Sequence, residues 1–410
     1  MERNDAPRTN LCVALLVALG FSLGCSEFAV IGVEPDIAAA YGVTLARAGE
    51  LVSVYALAFA VATPVLAVAT GRFRRFHLLV AYSLLFCAAN AAAMLAPTFE
   101  LLWVSRAVLG AVSGPLIALG VTYVPELVGV ERSSMAISVI YAAFSIAMVV
   151  ATSAGKLVAE LLSWHLVLVG ALAFALAVCA ALVAVLPRTG EQDEPAGVAE
   201  QVGLLAEPPV LTSILVFLFG VGSVYTFYGY VTPYLEDVLG LSPVATSTVL
   251  MAYGAVCFFS NLLSGWTDGR FGMKALLVTF PVQAALLVGL YLAGGDATPA
   301  LAAVMLVALS MYIVSVPCIT LFMRTARRRH PKALTLASSL EPMAFNMGIS
   351  FGTAMGGMVV SGPGIRYAGL VGAAFSLTAC ALVAVTLVLS RRREARAKAE
   401  ARAAACPQRP

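Results

Sequence analysis

Charge is scarce in this chain: only 11% of its 410 residues are Asp, Glu, Lys or Arg. Soluble domains carry about 25%, so a water-soluble enzyme is nearly excluded. Histidine is rarer still, with His77, His165 and His330 far apart, and no helix carries the paired histidines of a zinc protease. The eight cysteines lie scattered without metal or redox spacing, seven of them inside apolar stretches, and read as small apolar packers. No glycine-rich loop followed by Lys and Ser/Thr occurs, which argues against direct use of ATP. The segment Gly110-Ala111-Val112-Ser113-Gly114 is not a nucleophile elbow, because its serine falls one place late. These absences leave no metal, no cofactor, no nucleic-acid partner and no enzyme chemistry in the expectation.

What the chain does contain is apolar length. The apolar fraction is 61% and the mean hydropathy +0.94. Twelve runs fall near 11–33, 49–70, 77–96, 101–123, 134–157, 165–187, 211–231, 246–267, 274–294, 299–322, 333–361 and 366–390. A bilayer core roughly 30 Å thick needs about 20 helical residues to cross it, and barrel strands would alternate over about 10. The expectation is an all-α polytopic membrane protein of twelve transmembrane helices. The first run is of full spanning length and lacks a small-residue cleavage site, so it reads as a retained helix rather than a removed leader. Pro342 is the expected bend in the long eleventh span.

With the N-terminus inside, inner loops and tails hold 21 of the 25 Lys and Arg, Arg72, Arg74, Arg75 and the runs from Arg327 and Arg391 among them. The outer side holds Arg47, Lys156 and Arg366, and Arg106 lies within a span. That bias makes both termini cytoplasmic in a multi-pass protein of the inner or plasma membrane. The acidic and proline-rich stretch from Arg188 to Pro209 divides the chain. The expected organisation is a cytoplasmic N-terminus 1–10, a six-helix bundle 11–187, a linker 188–210, a second bundle 211–390 and a basic cytoplasmic tail 391–410.

Sliding the second half back by 198 residues pairs Pro35 with Pro233, Gly42 with Gly240, Tyr55 with Tyr253 and Gly71-Arg72-Phe73 with Gly269-Arg270-Phe271. Two pseudo-symmetric bundles related along the membrane normal, with a substrate site near mid-bilayer, are a known build for secondary transporters.

A charge inside a span costs about 2.5 to 3.5 kcal/mol at the centre, so the few present are informative. Glu27 and Arg106 each sit about 8 to 9 Å below the outer surface and could meet. A carboxyl whose partner guanidinium comes and goes as helices rock would bind and release a proton, coupling transport to a gradient; the alternative is a static ion pair within the first bundle. Glu341, just before Pro342, could bind a cationic substrate or a second proton, stay neutral through burial, or reach a basic residue such as Arg324. Glu27 moved forward by 198 lands on Tyr225, in the run Tyr225, Phe227, Tyr228, Tyr230, Tyr234. Phenols suit an amphipathic or aromatic solute, whereas Tyr230 and Tyr234 fit an interfacial belt. Of Asn90, Asn261, Gln283 and Asn346, most read as helix-to-helix hydrogen-bonding groups, with Asn346 near Glu341 a candidate for substrate.

The sequence resembles the major facilitator superfamily over residues 11–390, in particular its 12-span drug:proton antiporter branch of sugar, purine and chloramphenicol effluxers. The resemblance rests on Ser26-Glu27-Phe28 with Pro35-Asp36-Ile37, Gly71-Arg72 with Arg74-Arg75, Arg106, Tyr228 to Pro233, Gly265 to Lys274, and Ala337-Ser338-Ser339 with Phe345-Asn346. It implies proton coupling through Glu27 and Arg106, substrate contacts at Tyr225, Tyr228, Glu341 and Asn346, and gating loops at Gly71, Arg72, Asp268 and Arg270. The chain departs from the branch in three places. Glycines 71 and 269 stand where an aspartate precedes the loop arginine, Ala151 to Lys156 lacks the span-five proline, and Glu341 replaces a neutral polar residue. The expected function is proton-coupled efflux of a small amphipathic solute (drug, nucleoside or sugar-like) by a monomer in the lipid bilayer. An uptake symporter or uniporter and a non-transporting receptor are the alternatives.

Overall fold

A computed structural model describes residues 6–70, 73–188 and 198–405. Its elements are α1 (Ala6–Tyr41), α2 (Leu45–Thr70), α3 (Arg75–Met94), α4 (Phe99–Val128), α5 (Val130–Leu161), α6 (Trp164–Val185), a linker helix α7 (Val198–Leu205), α8 (Pro208–Tyr228), the short α9 (Val231–Pro233) and a wide π-type turn Tyr234–Val238. There follow α10 (Pro243–Phe271), α11 (Leu276–Ala293), α12 (Ala297–Met311), α13 (Ser315–Arg329), α14 (Leu334–Ser361) and α15 (Ala368–Ala405). Among the described residues no strand occurs. Eleven continuous stretches are long and apolar enough to cross a membrane; one of them, Pro243–Ala293, holds both α10 and α11, joined by the tight turn Gly272–Ala275, and dividing it there gives twelve crossings.

Backbone polar groups have no water to bond in lipid, so helices are the only economical way for each span to satisfy its own donors and acceptors. Contact between helices then depends on small residues. Glycines 20 and 24 of α1 lie against the carbonyls of Ile140 and Phe144 in α5, where an added Cβ would come within 2.6 and 2.7 Å. A Cβ on Gly110 of α4 would collide with the Tyr55 carbonyl of α2, and one on Gly352 of α14 with that of Gly222 in α8. Gly110→Ala is therefore expected to destabilise the first bundle by about 1 to 3 kcal/mol, read as an earlier thermal loss of the monodisperse species in detergent. An unchanged midpoint would show that the α2–α4 contact can relax.

The first six spans pack on one another and the last six likewise, with α2 against α14 and α5 against α10 across the boundary. The 198-residue relation is visible in the backbone. Gly42 and Gly240 end equivalent helical segments with φ of +64° and +67°, a left-handed conformation that a Cβ disfavours.

Four boundaries differ from the hydropathy reading. The helix of the first span continues beyond residue 33 to Tyr41, about 12 Å farther. It kinks at Val33, where φ is −117° and ψ 15°, two residues before Pro35. Pro342, by contrast, lies inside the unbroken α14. The tenth span is split into α12 and α13. Pro317 has no N–H, which frees the Ile313 carbonyl; Ser264 of α10 donates to that oxygen at 3.1 Å and accepts from Val316 N at 3.1 Å, while Ser260 accepts from Tyr312 N at 2.9 Å. Finally, part of the linker is helical, as α7.

Candidate functional site

Glu27 is 1% exposed, and neither carboxyl oxygen has a hydrogen-bond partner. Arg106 of α4 reaches the same turn of α1 but spends its donors on main-chain carbonyls. Its Nε donates to Leu51 O at 3.1 Å, and its two terminal nitrogens donate to Ser26 O and to Glu27 O, the latter at 2.8 Å. The guanidinium lies over the Tyr55 ring at 4.5 Å, and the Tyr55 hydroxyl donates to Ser113 Oγ at 2.8 Å. The two residues thus meet, but backbone to side chain: the arginine staples α1, α2 and α4 together and leaves the Glu27 carboxyl unbonded. Ser26 donates to Asn90 of α3 at 3.1 Å, which fixes the turn from the other side.

Across the boundary stands an aromatic group drawn from four elements of the second bundle. Tyr228 stacks on Tyr253 at 4.6 Å, Tyr312 on Phe345 at 5.2 Å, and Tyr225 meets Tyr228 and Phe345 edge-on at 5.5 and 6.4 Å. The break between α12 and α13 places Tyr312 in this group. The hydroxyls of Tyr225 and Tyr312 both point at Met148 Sδ of α5, at 3.8 and 3.5 Å, so the aromatic wall faces the first bundle. Tyr225 and Tyr312 lie within electrostatic reach of Glu27, and Tyr312 also of Glu341. Asn346 turns its amide nitrogen onto its own Pro342 carbonyl at 3.1 Å, and its Oδ1 is left buried without a partner. Glu341 is half-buried nearer the termini, facing Ser315 of α13 and Tyr141 of α5. Gln283 bonds Ser223 at 2.5 Å and receives Ser310 at 2.9 Å, tying α11 to α8 and α12.

Residues that the sequence reading set aside gather at the end of the bundles away from the termini. Glu34 is fully buried with both oxygens unpartnered. Lys156, an outer-side charge by its place in the sequence, is 3% exposed and lies 3.0 Å from Glu236 and 3.9 Å from Asp36. Tyr230 and Tyr234 are buried rather than interfacial. Tyr230 donates to Thr353 O at 3.2 Å and fills the space beside Gly49 of α2 and Gly356 and Gly357 of α14. Pro35 frees the Ile31 carbonyl, which accepts from Thr232 of α9 at 2.9 Å, and Ser247 donates to Ser153 O at 2.8 Å. Among the described residues, these hydrogen bonds and ion pairs between the bundles lie from mid-height to this far end, while Tyr141 of α5 meets Glu341 of α14 nearer the termini. The signal available in sequence was the pair of prolines 35 and 233, the first between Glu34 and Asp36 and the second three residues before Glu236.

Of the expected gating loops, Gly71 and Arg72 fall outside the described residues. Asp268 and Arg270 sit in the last turn of α10 and not in a loop, because that helix runs on until Gly272, whose φ is +58°. Asp268 accepts from Thr320 of α13 at 2.9 Å, within one bundle, and Arg270 lies over the Trp266 ring at 5.8 Å.

A broken helix at mid-membrane, unpartnered buried carboxyls and two matching bundles are the arrangement of a secondary transporter. Residues 15–340 match the sequence pattern of the Major Facilitator Superfamily. The chain belongs to that superfamily. It is similar to the Bacillus subtilis (strain 168) protein "Uncharacterized MFS-type transporter YtbD", 24% identical over 390 residues covering 95% of this chain and 98% of that protein. It is also similar to "Inner membrane transport protein YdhP" of Escherichia coli (strain K12), 26% identical over 90% of this chain and 94% of that one. The fold matches a bacterial homologue of the human lysosomal transporter Spinster, solved inward-facing and occupied, with a TM-score of 0.73, 16% identity and coverage of 94% and 97%. This facilitator is thus a multi-pass membrane transporter and not an enzyme.

Proposed function

We propose that this transporter couples proton movement to export of a small amphipathic solute by rocking its two bundles about the boundary between them. The observation that carries the reading is the buried Glu27 carboxyl, unbonded and within electrostatic reach of Tyr225 and Tyr312 on the opposite bundle. A carboxyl so placed exchanges a proton with whichever side it is opened to, and costs least when neutral and buried. Arg106 positions it by holding its main chain. Tyr225 and Tyr228 offer flat faces to a ring-bearing solute, and Glu341 and Asn346 Oδ1 offer acceptors to its polar groups. Gly71, Arg72, Asp268 and Arg270 take part in closing the end near the termini. Export, both termini cytoplasmic, a monomer and the inner or plasma membrane follow from the antiporter resemblance and the distribution of Lys and Arg. Uptake by symport is the second reading, favoured by Lys156 standing where the branch has a proline-containing stretch.

Proteoliposomes challenged with chloramphenicol, adenosine and D-xylose, with and without an imposed pH gradient, test this. At least one is expected to move against its own gradient only when protons run the other way. Movement in the same direction as protons would favour symport, and movement indifferent to the pH gradient would remove proton coupling. For the transported member of the panel, Tyr225→Ala and Tyr228→Ala are each expected to raise KM roughly two- to tenfold through lost ring contact, while Tyr225→Phe stays near wild type. Unchanged KM in both alanine variants would place the solute elsewhere.

A further inference from the structure

We infer that Lys156 is a partner-exchanging residue: it pairs with Glu236 of the opposite bundle when the end away from the termini is closed, and is handed to Asp36 of its own bundle when that end opens. The inference rests on the two-bundle rocking of the proposed function. It adds the residues that set the balance between the two states.

In the structure the Lys156 ammonium lies 3.0 and 3.1 Å from the two oxygens of Glu236 and 3.9 Å from Asp36 Oδ2. The first is a hydrogen-bonded ion pair, the second a charge contact beyond hydrogen-bonding reach. Glu236 sits on the π-type turn Tyr234–Val238, whose extra backbone width follows directly on the chain break between α8 and α9. Asp36 sits on α1, beside Lys156 on α5.

These two relationships respond differently to rocking. The α1–α5 contact is too close to slide. Gly32 of α1 has no room for a Cβ against the Thr152 carbonyl and lies against Lys156 N, and the Thr152 hydroxyl donates to Phe28 O at 3.3 Å. Asp36 and Lys156 therefore travel together. Glu236 belongs to the other bundle and must leave when the far end separates. A buried ammonium stripped of its counter-ion is strongly disfavoured, whereas one that keeps a carboxylate nearby is not. Asp36 is equipped to receive it: its Oδ2 is buried and has no hydrogen-bond partner in the closed arrangement. Closing about 1 Å of separation would turn the charge contact into a hydrogen bond.

The consequence is that two carboxylates acting on one lysine pull the conformational balance in opposite directions. Glu236 stabilises the closed state, because its pair exists only there. Asp36 stabilises the open state, because its pair is stronger there.

The test is double electron–electron resonance on the full chain in nanodiscs. Spin labels go at the exposed positions Ala40→Cys and Thr298→Cys, one on each bundle at the far end, with the native cysteines replaced. Glu236→Gln is expected to raise the ratio of long to short distances on the order of tenfold, and Asp36→Asn to lower it by a similar factor. In a Lys156→Gln background neither change should shift the distribution further, and Lys156→Arg should resemble wild type. Should Lys156→Gln fail to give a monodisperse protein, the opposite signs of the two carboxylate variants still decide. Shifts of the same sign, no shift in either, or shifts that persist without the lysine would overturn the partner exchange while leaving two-state rocking intact. A single distance in wild type that no variant changes would overturn the exchange and the rocking together.

Discussion

Glu27→Gln is expected to yield a folded protein that has lost gradient-driven flux. The argument has two parts. The carboxyl has no hydrogen bond to lose, so replacement by a neutral amide of the same shape removes the burden of a buried ionisable group and adds none of comparable size. Thermal stability in detergent should therefore equal or exceed that of wild type. The amide cannot take up or release a proton in the physiological range, so accumulation driven by a pH gradient should disappear while equilibration of the same solute down its own gradient continues. Gradient-driven accumulation at the wild-type rate would remove Glu27 from the coupling scheme.

Arg106→Met is expected to produce the reverse: an unstable protein. Leu51 O, Ser26 O and Glu27 O all accept from this one guanidinium, and the Tyr55 ring lies beneath it. Removing it leaves three carbonyls without their second partner and vacates a buried volume. Each lost charged hydrogen bond is worth about 1 to 2 kcal/mol in a membrane interior, so the total is on the order of 3 kcal/mol or more. The readout is the yield of monodisperse protein and its thermal midpoint, both of which should fall well below those of Glu27→Gln. Arg106→Lys should be intermediate, since an ammonium reaches fewer carbonyls and stacks less well on Tyr55. A stable, monodisperse Arg106→Met protein that has lost only proton coupling would show that the arginine acts on the carboxyl charge and not through the main chain.

The proposed division of labour between Glu27 and Arg106 is half visible in the amino-acid order. Two rare charges at similar depth on separate spans pointed to each other, and the fold brings them together. The sequence could not tell whether a guanidinium would choose a carboxylate or carbonyls, because that depends on how closely α1 and α4 approach and on which main-chain lone pairs face inward. Span number was readable because hydropathy averages over about 20 residues, long enough to register a crossing. The same averaging hid the far end of α1. Glu34, Pro35 and Asp36 read as an exit into water, yet Glu34 is fully buried and Asp36 faces a lysine, because the charges that accompany them lie on α5 and beyond α9.

Lys156 and Glu236 are 80 residues apart and belong to different bundles, so no local pattern joins them. Tyr230 and Tyr234 failed as belt residues for a related reason. An aromatic close to a span end is interfacial only where that end faces lipid, and here Tyr230 faces α2 and α14 while Tyr234 packs on Phe227 of α8. The break in the tenth span did leave a trace, Pro317 within an apolar run, but its meaning depended on two serines of α10 that take over the freed backbone groups. Internal repetition was the most dependable long-range signal. It placed Gly42 on Gly240, which share a left-handed turn, and Tyr55 on Tyr253, both fully buried.

The central claim is that Glu27 carries the proton exchanged for solute, and the measurement closest to it is internal pH. A pH-sensitive dye is sealed inside proteoliposomes, and the transported member of the chloramphenicol, adenosine and D-xylose panel is supplied on one side only. Wild type is expected to shift the internal pH as solute crosses, and Glu27→Gln to pass solute with no shift. A pH change of equal size in both proteins would contradict the account.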